Sequence, residues 1–232
     1  MTIANNIINV KQRIADACRK ADRAPNEVTL IAVSKSFPAG IIKTAVEHGI
    51  DHIGENRVQE AEAKFEQLGK IASWHLVGHL QTNKVKKALQ IFDFIHSVDS
   101  YHLAEEISKR ALQAEKEIEC LVEVNTSGEE TKFGISPEDT VDLIKKIALL
   151  PGIHIKGLMT IGAFLPDAED VRPCFKMLRE TRDEVQRAGV ENVETKYLSM
   201  GMTNDFEVAI EEGANMIRVG RAIFGERDGC RL

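Results

Sequence analysis

The sequence predicts an α/β fold of the (β/α)8 TIM barrel class. Three observations lead to this prediction: eight short runs rich in β-branched and aromatic residues, amphipathic stretches between them, and no linker rich in Pro, Gly or Ser within the 232 residues. Strands that alternate with helices pair in parallel, because a parallel neighbour requires a crossover connection. Eight such units close a barrel, whereas the alternative, an open doubly wound sheet, usually has fewer strands. The chain is therefore expected to form a single domain over residues 1–232.

The segment before the first strand, residues 1–24, has the apolar stripe of an amphipathic helix. The stripe residues are Ile3, Ile7, Val10, Ile14, Ala17 and Ala21. Their spacing of three and four residues is that of a helix lying on a core. Pro25 and Asn26 end the pattern. We expect this N-terminal helix to pack on the barrel.

The remaining elements follow in regular alternation. The strand segments are VTLIAVSK, DHIGEN, WHLVGHL, FDFIHSV, IECLVEVN, IHIKGLMTIG, ETKYLSMG and NMIRVG. The helical stretches with the clearest pattern are Ala39–His48, Val58–Leu68, Tyr101–Glu115, Pro137–Leu149, Val171–Ala188 and Asn204–Glu212. Ser136 before Pro137 is typical of an N-cap followed by the first helical position. The basic cluster NKVKK, residues 83–87, is interpreted as a solvated helix face.

Charge and composition argue against several classes of function. A net charge of −6 argues against nucleic acid or a membrane surface as the main partner. No apolar run is long enough to span a bilayer, and the N-terminus lacks the pattern of a signal peptide. The cysteines are Cys18, Cys120, Cys174 and Cys230. Their wide separation fits a reducing compartment, so we expect a cytoplasmic protein.

In a barrel of this class, functional groups gather at the carboxyl ends of the strands. The residues that follow the predicted strands include Lys35, Asn56, His79, Asp99, Asn125, Thr160, Ser199 and Gly220. Such a set is more polar than a packed core requires, so it predicts a binding site. The residues Ser199, Gly201, Thr203 and Gly220 stand in Gly-rich turns before helices, where backbone N–H groups bind phosphate. The alternative is a pair of ordinary tight turns with an N-cap at Thr203.

Lys35, the phosphate-type turns and Arg218 together suit a phosphorylated aldehyde such as pyridoxal 5′-phosphate (PLP). Partial burial of a lysine favours its neutral amine, which is the form that makes a Schiff base. Arg218 is suited to the pyridine nitrogen of PLP. Because arginine only donates, that nitrogen would stay unprotonated, and the ring would be a weaker electron sink.

Other polar residues have simpler interpretations. His75, His79, His96 and His102 lack carboxylate or thiolate partners at familiar ligand spacing, so they predict structural histidines and no metal site. Lys132 is a second amine, on the loop after the fifth strand. It is interpreted as a loop lysine, with an accessory role toward the aldehyde as the alternative.

The sequence around these residues resembles that of a known protein family. The segments LIAVSKSFP, IGENRVQE, WHLVGHLQTNKVK, LVEVNTSGEETKFGI, IKGLMTIG and LSMGMTNDFEVAIEEGANMIRVGRAIFGER are similar to those of the pyridoxal phosphate homeostasis proteins. The resemblance runs from Val28 to Arg227. These proteins look like the barrel domain of bacterial alanine racemase without its second domain.

The resemblance implies roles for individual residues. Lys35 would hold PLP as a Schiff base, Arg218 would face the pyridine nitrogen, and Asn56 would lie by the ring. The residues expected at the phosphate are Ser199, Gly201, Thr203 and Gly220. Met200 would line the pocket, with Met159 as a weaker candidate. Many members carry a small residue where this chain has Arg221, which would either strengthen phosphate binding or point to solvent.

Three functions remain open: a PLP carrier, a PLP-dependent amino-acid racemase, and a Schiff-base aldolase acting on a phosphorylated sugar. A racemase needs a second acid or base, which alanine racemases take from the second domain, and the sequence ends at Leu232. The aldolase alternative leaves the VSK, GEN and RVG matches unexplained. The favoured expectation is a monomeric, non-catalytic PLP-binding protein of vitamin B6 homeostasis that delivers PLP to apo-enzymes.

Overall fold

The computed structural model describes residues 2–129 and 131–226. Eight strands in this part of the chain close into a barrel in chain order, and every neighbouring pair is parallel, including β8 with β1. The strands are β1 Thr29–Val33, β2 His52–Glu55, β3 Ser73–Leu76, β4 Phe94–Val98, β5 Ile118–Glu123, β6 Ile153–Met159, β7 Val193–Ser199 and β8 Met216–Val219. The predicted barrel class is confirmed, and the open sheet is excluded.

Helices alternate with these strands. They are α1 Ile3–Lys20, α2 Ala39–Glu47, α3 Val58–Leu68, α4 Val85–Ile91, α5 Tyr101–Gln113, α6 Pro137–Ile147, α7 Arg172–Ala188, α8 Phe206–Glu211 and α9 Arg221–Phe224. The helix predicted from Asn204 begins two residues later. A turn occupies Thr203–Asp205, and the Asp205 carboxylate accepts a hydrogen bond from the Met202 N–H at 2.5 Å. The predicted cap of α6 is present, since the Ser136 hydroxyl accepts from the Asp139 N–H.

Side-chain alternation along the strands separates two apolar cores. The larger core lies between the strands and the surrounding helices. The smaller one fills the barrel interior and consists of Ile31, Val33, Val77, Phe94, Leu121, Met159 and Met216. Neighbouring residues therefore belong to different cores: Ala32 faces the helices, whereas Ile31 and Val33 face the interior.

The predicted N-terminal helix is α1, which packs against α8 and α9. The Asn6 amide donates to the Ile223 carbonyl at 2.9 Å, and Arg13 pairs with Glu207 at 2.6 Å. The Arg13 guanidinium also lies over the Phe206 ring, 4.4 Å from its centroid. The helix thereby braces the elements that follow β7 and β8.

Two further predictions from the sequence concern the cysteines and membrane-spanning segments. Cys18, Cys120 and Cys174 are buried free thiols, and Cys230 lies outside the described residues. Among the described helices, none has both the length and the apolarity needed to cross a membrane.

Candidate functional site

A cavity of about 300 Å³ opens at the carboxyl ends of the strands. Six of the predicted site residues line it: Lys35, Asn56, Thr203, Arg218, Gly220 and Arg221. Its other walls are largely apolar and comprise Val33, Phe37, Val77, Ile161, Ala163, Phe164, Leu165 and Met202, with Asn204 and Asp205 beside Thr203. Concave, mostly apolar pockets with a few convergent polar groups are typical ligand sites.

Lys35 lies in the turn between β1 and α2, and the turn is clamped by α3. The Lys64 ammonium donates to the Ser34 carbonyl at 2.8 Å, immediately before Lys35. It also donates to the Glu60 carboxylate at 2.7 Å, and that carboxylate accepts from the N–H of Ser36. Ser36 has a left-handed φ of 70°. The backbone on both sides of Lys35 is therefore held by one buried lysine.

Glu55 at the end of β2 completes this clamp. Its carboxylate accepts from Lys64 at 2.6 Å and from the Ser34 hydroxyl at 2.5 Å. Burial raises the pKa of Glu55, and the hydrogen bond and charge of Lys64 oppose this effect. Sequence reasoning missed the clamp. The available signal was a lysine, Lys64, on the same helical face as the apolar Val58 and Ala61.

The turns after β7 and β8 form a neighbouring part of the wall, since β8 pairs with β1. The Thr203 carbonyl accepts from Arg13 at 3.3 Å, which ties this turn to α1. At Gly220 an added Cβ would lie 3.1 Å from the Val33 carbonyl oxygen. Arg221 follows directly and begins α9. Thr203, Gly220 and Arg221 thus all line the pocket.

Gly201 serves packing between β7 and α8 and lies outside the pocket lining. Its φ is 91°, and an added Cβ would lie 2.6 Å from the Ala209 Cβ and 2.9 Å from the Phe206 Cα. The glycine therefore lets the chain leave β7 close against α8.

Arg218 extends through the buried side of the pocket. Its guanidinium donates to the Ser199 hydroxyl at 2.6 Å and to the Thr160 carbonyl at 2.7 Å. Burial lowers the pKa of Arg218 to about 10, while the charges of Glu123 and Asp205 act in the opposite direction. Ser199 therefore lies behind the pocket, where it holds Arg218, and does not form part of its wall.

Met200 is fully buried in the core between strands and helices. Because Ser199 points into the barrel, strand alternation sends Met200 outward. The methionine in the pocket wall is Met202. Met159 lies in the barrel interior.

Glu123 is a buried acidic residue at the end of β5. It is 3% exposed, and its Oε2 has no hydrogen-bond partner among the described residues. Burial, with the nearby charge of Asp99, raises its pKa to about 7, while the charge of Arg218 lowers it.

His75, His79, His96 and Lys132 have local partners, whereas His102 is an exposed residue of α5. His75 and His96 are buried and hydrogen-bonded to each other at 2.9 Å. His79 lies 3.4 Å from Asp99 and stacks on Phe133 with ring centroids 3.8 Å apart. Lys132 donates to the Gly162 carbonyl at 3.1 Å. Within residues 2–129 and 131–226, no cluster of three or more His, Cys, Asp or Glu side chains is arranged to hold a metal ion.

The closed barrel, with a lysine after its first strand and glycine-containing turns after its last two, defines a class of protein that comparison identifies. The family model described as "Alanine racemase, N-terminal domain" matches residues 7–228. A curated relative from Aquifex aeolicus (strain VF5), called pyridoxal phosphate homeostasis protein, is 46% identical over 228 residues, which cover 98% of this chain and 99% of the relative. The chain belongs to the family of pyridoxal phosphate homeostasis proteins.

Solved structures agree with this placement. PipY of Synechococcus elongatus PCC7942, in the structure with PLP bound, superimposes with a TM-score of 0.84 at 35% identity and covers 97% of this chain and 100% of PipY. Alanine racemase of Clostridium difficile 630 superimposes with a TM-score of 0.75 at 16% identity, over 99% of this chain and 58% of the racemase. The racemase shares the fold.

Proposed function

We propose that this protein binds PLP in the pocket and serves intracellular PLP homeostasis, with Lys35 holding the cofactor covalently as a Schiff base. The observation that carries the proposal is that Lys35, Arg218 and the turns at Thr203 and Gly220 line one cavity. Relatives are called pyridoxal phosphate homeostasis proteins, and PipY was solved with PLP bound. The donor set suits PLP, since it pairs an amine for an aldehyde with cationic and N–H donors for a phosphate.

Each residue has a distinct task in this proposal. Thr203, Gly220 and Arg221 would bind the phosphate, and Lys35 would bond the aldehyde carbon. Arg218 donates to the pyridine nitrogen, and Asn56 lies beside the ring. Ser199 and Gly201 act indirectly: Ser199 accepts from Arg218, and Gly201 lets the turn approach α8. Met200 contributes to the core behind this turn.

The same residues favour a carrier over an enzyme. PLP supplies an electron sink for carbanion chemistry when its ring nitrogen is protonated, and Arg218 can only donate to that nitrogen. Among the described lining residues, the ionisable ones are Lys35, Asp205, Arg218 and Arg221. The one carboxylate among them, Asp205, accepts a hydrogen bond from the Met202 N–H.

Delivery of PLP to apo-enzymes, a monomeric state and a cytoplasmic location complete the proposal. The pocket reaches solvent, since Phe164 at its rim is 84% exposed. A cofactor held there is accessible for exchange without opening of the barrel. A net charge of −6 gives no support to nucleic acid as a partner.

The proposal is tested by titrating the purified protein with PLP and recording visible absorption. We expect a bound-state spectrum distinct from that of free PLP, abolished in Lys35→Ala and retained in Lys43→Ala, which removes an exposed lysine of α2. A protein that takes up no PLP would refute the proposal. If the PLP-loaded protein also incorporates solvent deuterium at the α-carbon of free amino acids, this result would favour the racemase alternative.

A further inference from the structure

Three histidines cross the barrel interior in a continuous line that ends at Arg218. His52 Nδ1 lies 2.9 Å from His75 Nε2, and His75 Nδ1 lies 2.9 Å from His96 Nε2. His96 Nδ1 then lies 3.0 Å from the Ser199 hydroxyl, which accepts from Arg218 at 2.6 Å. The line begins at half-buried His52, at the end of the barrel opposite the pocket.

The strand register builds this line. His75 pairs with Gly54, two residues beyond His52, and with Phe94, two residues before His96. The histidines therefore rise by two residues from β2 to β3 and again from β3 to β4. Since side chains alternate with a period of two, all three rings point to the interior. Phe94 packs beside the two inner rings, with centroids 5.5 Å from His75 and 5.0 Å from His96.

Polar rings at this position need an explanation. Barrel interiors are normally filled by branched apolar side chains, and a buried polar group without a partner is destabilising. His75 is 2% exposed and His96 is fully buried. Burial lowers the pKa of His75 to about 3 and that of His96 well below its usual value, so both rings are neutral. A neutral imidazole donates through one nitrogen and accepts through the other.

Arg218 then fixes the direction of every proton in the line. Its guanidinium can only donate, so the Ser199 oxygen accepts there and its own proton is directed to His96 Nδ1. His96 must carry its proton on Nε2, which donates to His75 Nδ1. His75 Nε2 in turn donates to His52 Nδ1. The reverse order would aim two donors at one hydroxyl oxygen and leave the serine proton without its histidine acceptor.

We propose that His52, His75 and His96 form a proton-ordered histidine ladder that fixes Ser199 as the acceptor of Arg218 and so positions this arginine at the pocket. The three histidines are positioning residues, because they act through Ser199 and Arg218. The consequence for PLP rests on the proposed function, whereas the proton order is a property of the protein without cofactor.

The proton order is tested first, by ¹⁵N NMR of histidine-labelled protein without PLP. We expect a protonated Nε2 and an unprotonated Nδ1 on all three rings at neutral pH. A protonated Nδ1 on His75 or His96 would overturn the ladder. This result is independent of whether the protein binds PLP, so failure of the ladder and failure of the proposed function are distinguishable.

Two substitutions of His75, the middle histidine of the ladder, then test whether the ladder positions Arg218. His75→Phe keeps a ring against Phe94 but removes the acceptor of His96, so we expect His96 to move its proton to Nδ1. With one hydrogen bond around Arg218 lost, PLP should leave about fivefold faster. His75→Gln retains one acceptor and one donor, and should preserve both the His96 proton position and the release rate.

His102→Gln, which changes an exposed histidine of α5, is the control and should match the wild type. A His75→Phe protein that keeps the His96 proton on Nε2 and releases PLP at the wild-type rate would contradict the positioning role. If His75→Phe does not fold, the wild-type NMR result and the His75→Gln variant still decide the proposal.

Discussion

At the scale of the residue, the most consequential side chain that does not line the pocket is Lys64. It is 6% exposed and bonded to the Ser34 carbonyl, Glu55 and Glu60. Removing one partner of a buried ion pair leaves the other charge uncompensated. The clamp therefore couples the stability of the fold to the placement of Lys35.

We predict that Lys64→Met lowers the free energy of unfolding by about 3–5 kcal/mol, measured by urea unfolding without cofactor. Combining Lys64→Met with Glu55→Gln should recover part of this loss, because the orphaned charge is then removed. Unfolding of Lys64→Met at the wild-type free energy would show that the clamp carries no stability.

The raised pKa of Glu123 predicts that the stability of the protein depends on pH. Its folded-state pKa, about 7, lies above the usual 4.5, so the folded protein binds a proton that the unfolded chain releases between these values. The stabilising contribution of the neutral carboxyl is complete below pH 4.5 and is lost as the pH rises through about 7.

In Glu123→Gln this loss should be absent. We expect the difference in unfolding free energy between the variant and the wild type to grow by about 3 kcal/mol from pH 4.5 to above 7, in favour of the variant. Urea unfolding at both ends of this range measures it. Parallel pH profiles for the two proteins would contradict the assignment.

Some positions of the candidate site could be predicted from the sequence, and others could not. Lys35, Asn56 and Arg218 were predictable, because a strand end or a strand face fixes which group reaches the mouth of a barrel. The positions of Ser199 and Met200 were not, since they depend on which residue of β7 faces inward. The inward-facing residue depends on a register shift between β6 and β7, which the amino-acid sequence does not reveal.

At the scale of the element, the turn from β7 into α8 forms part of the pocket wall. Sequence predicted eight strands and most helices, because alternating strand and helix patterns are strong signals. It extended α8 by two residues at its start, where Asp205 closes the Thr203–Asp205 turn. The histidine ladder was also beyond prediction, since it requires the stagger of β2, β3 and β4.

Gly201→Ala tests how tightly this turn is held. The alanine would combine a left-handed φ with a Cβ 2.6 Å from Ala209. Gly213→Ala is the matched control: its φ is 100°, but the nearest atom lies 3.8 Å away. We expect Gly201→Ala to destabilise the protein by roughly 1–3 kcal/mol more than Gly213→Ala in thermal or urea unfolding. Equal losses would mean that only backbone strain matters at Gly201.

At the scale of the whole molecule, one end of the barrel carries the pocket and its apolar rim reaches solvent. Ile161, Phe164 and Leu165, all in the loop between β6 and α7, are 38%, 84% and 42% exposed. In the proposed function, this open rim is where PLP leaves for an acceptor.

Delivery to an acceptor has a kinetic signature. PLP-loaded protein mixed with an apo-enzyme should activate that enzyme faster than PLP escapes into buffer containing an aldehyde trap. The activation rate should rise with apo-enzyme concentration, since contact rather than release then limits transfer. Activation no faster than release would remove the support for direct delivery.

Lys35 is the residue that we propose to hold PLP. Borohydride reduction of the PLP-loaded protein, followed by peptide mapping, tests it most directly, because reduction fixes the cofactor to whichever amine carries it. We expect the label on the peptide that contains Lys35. Label on another lysine, such as Lys132, or no retained label at all, would contradict it.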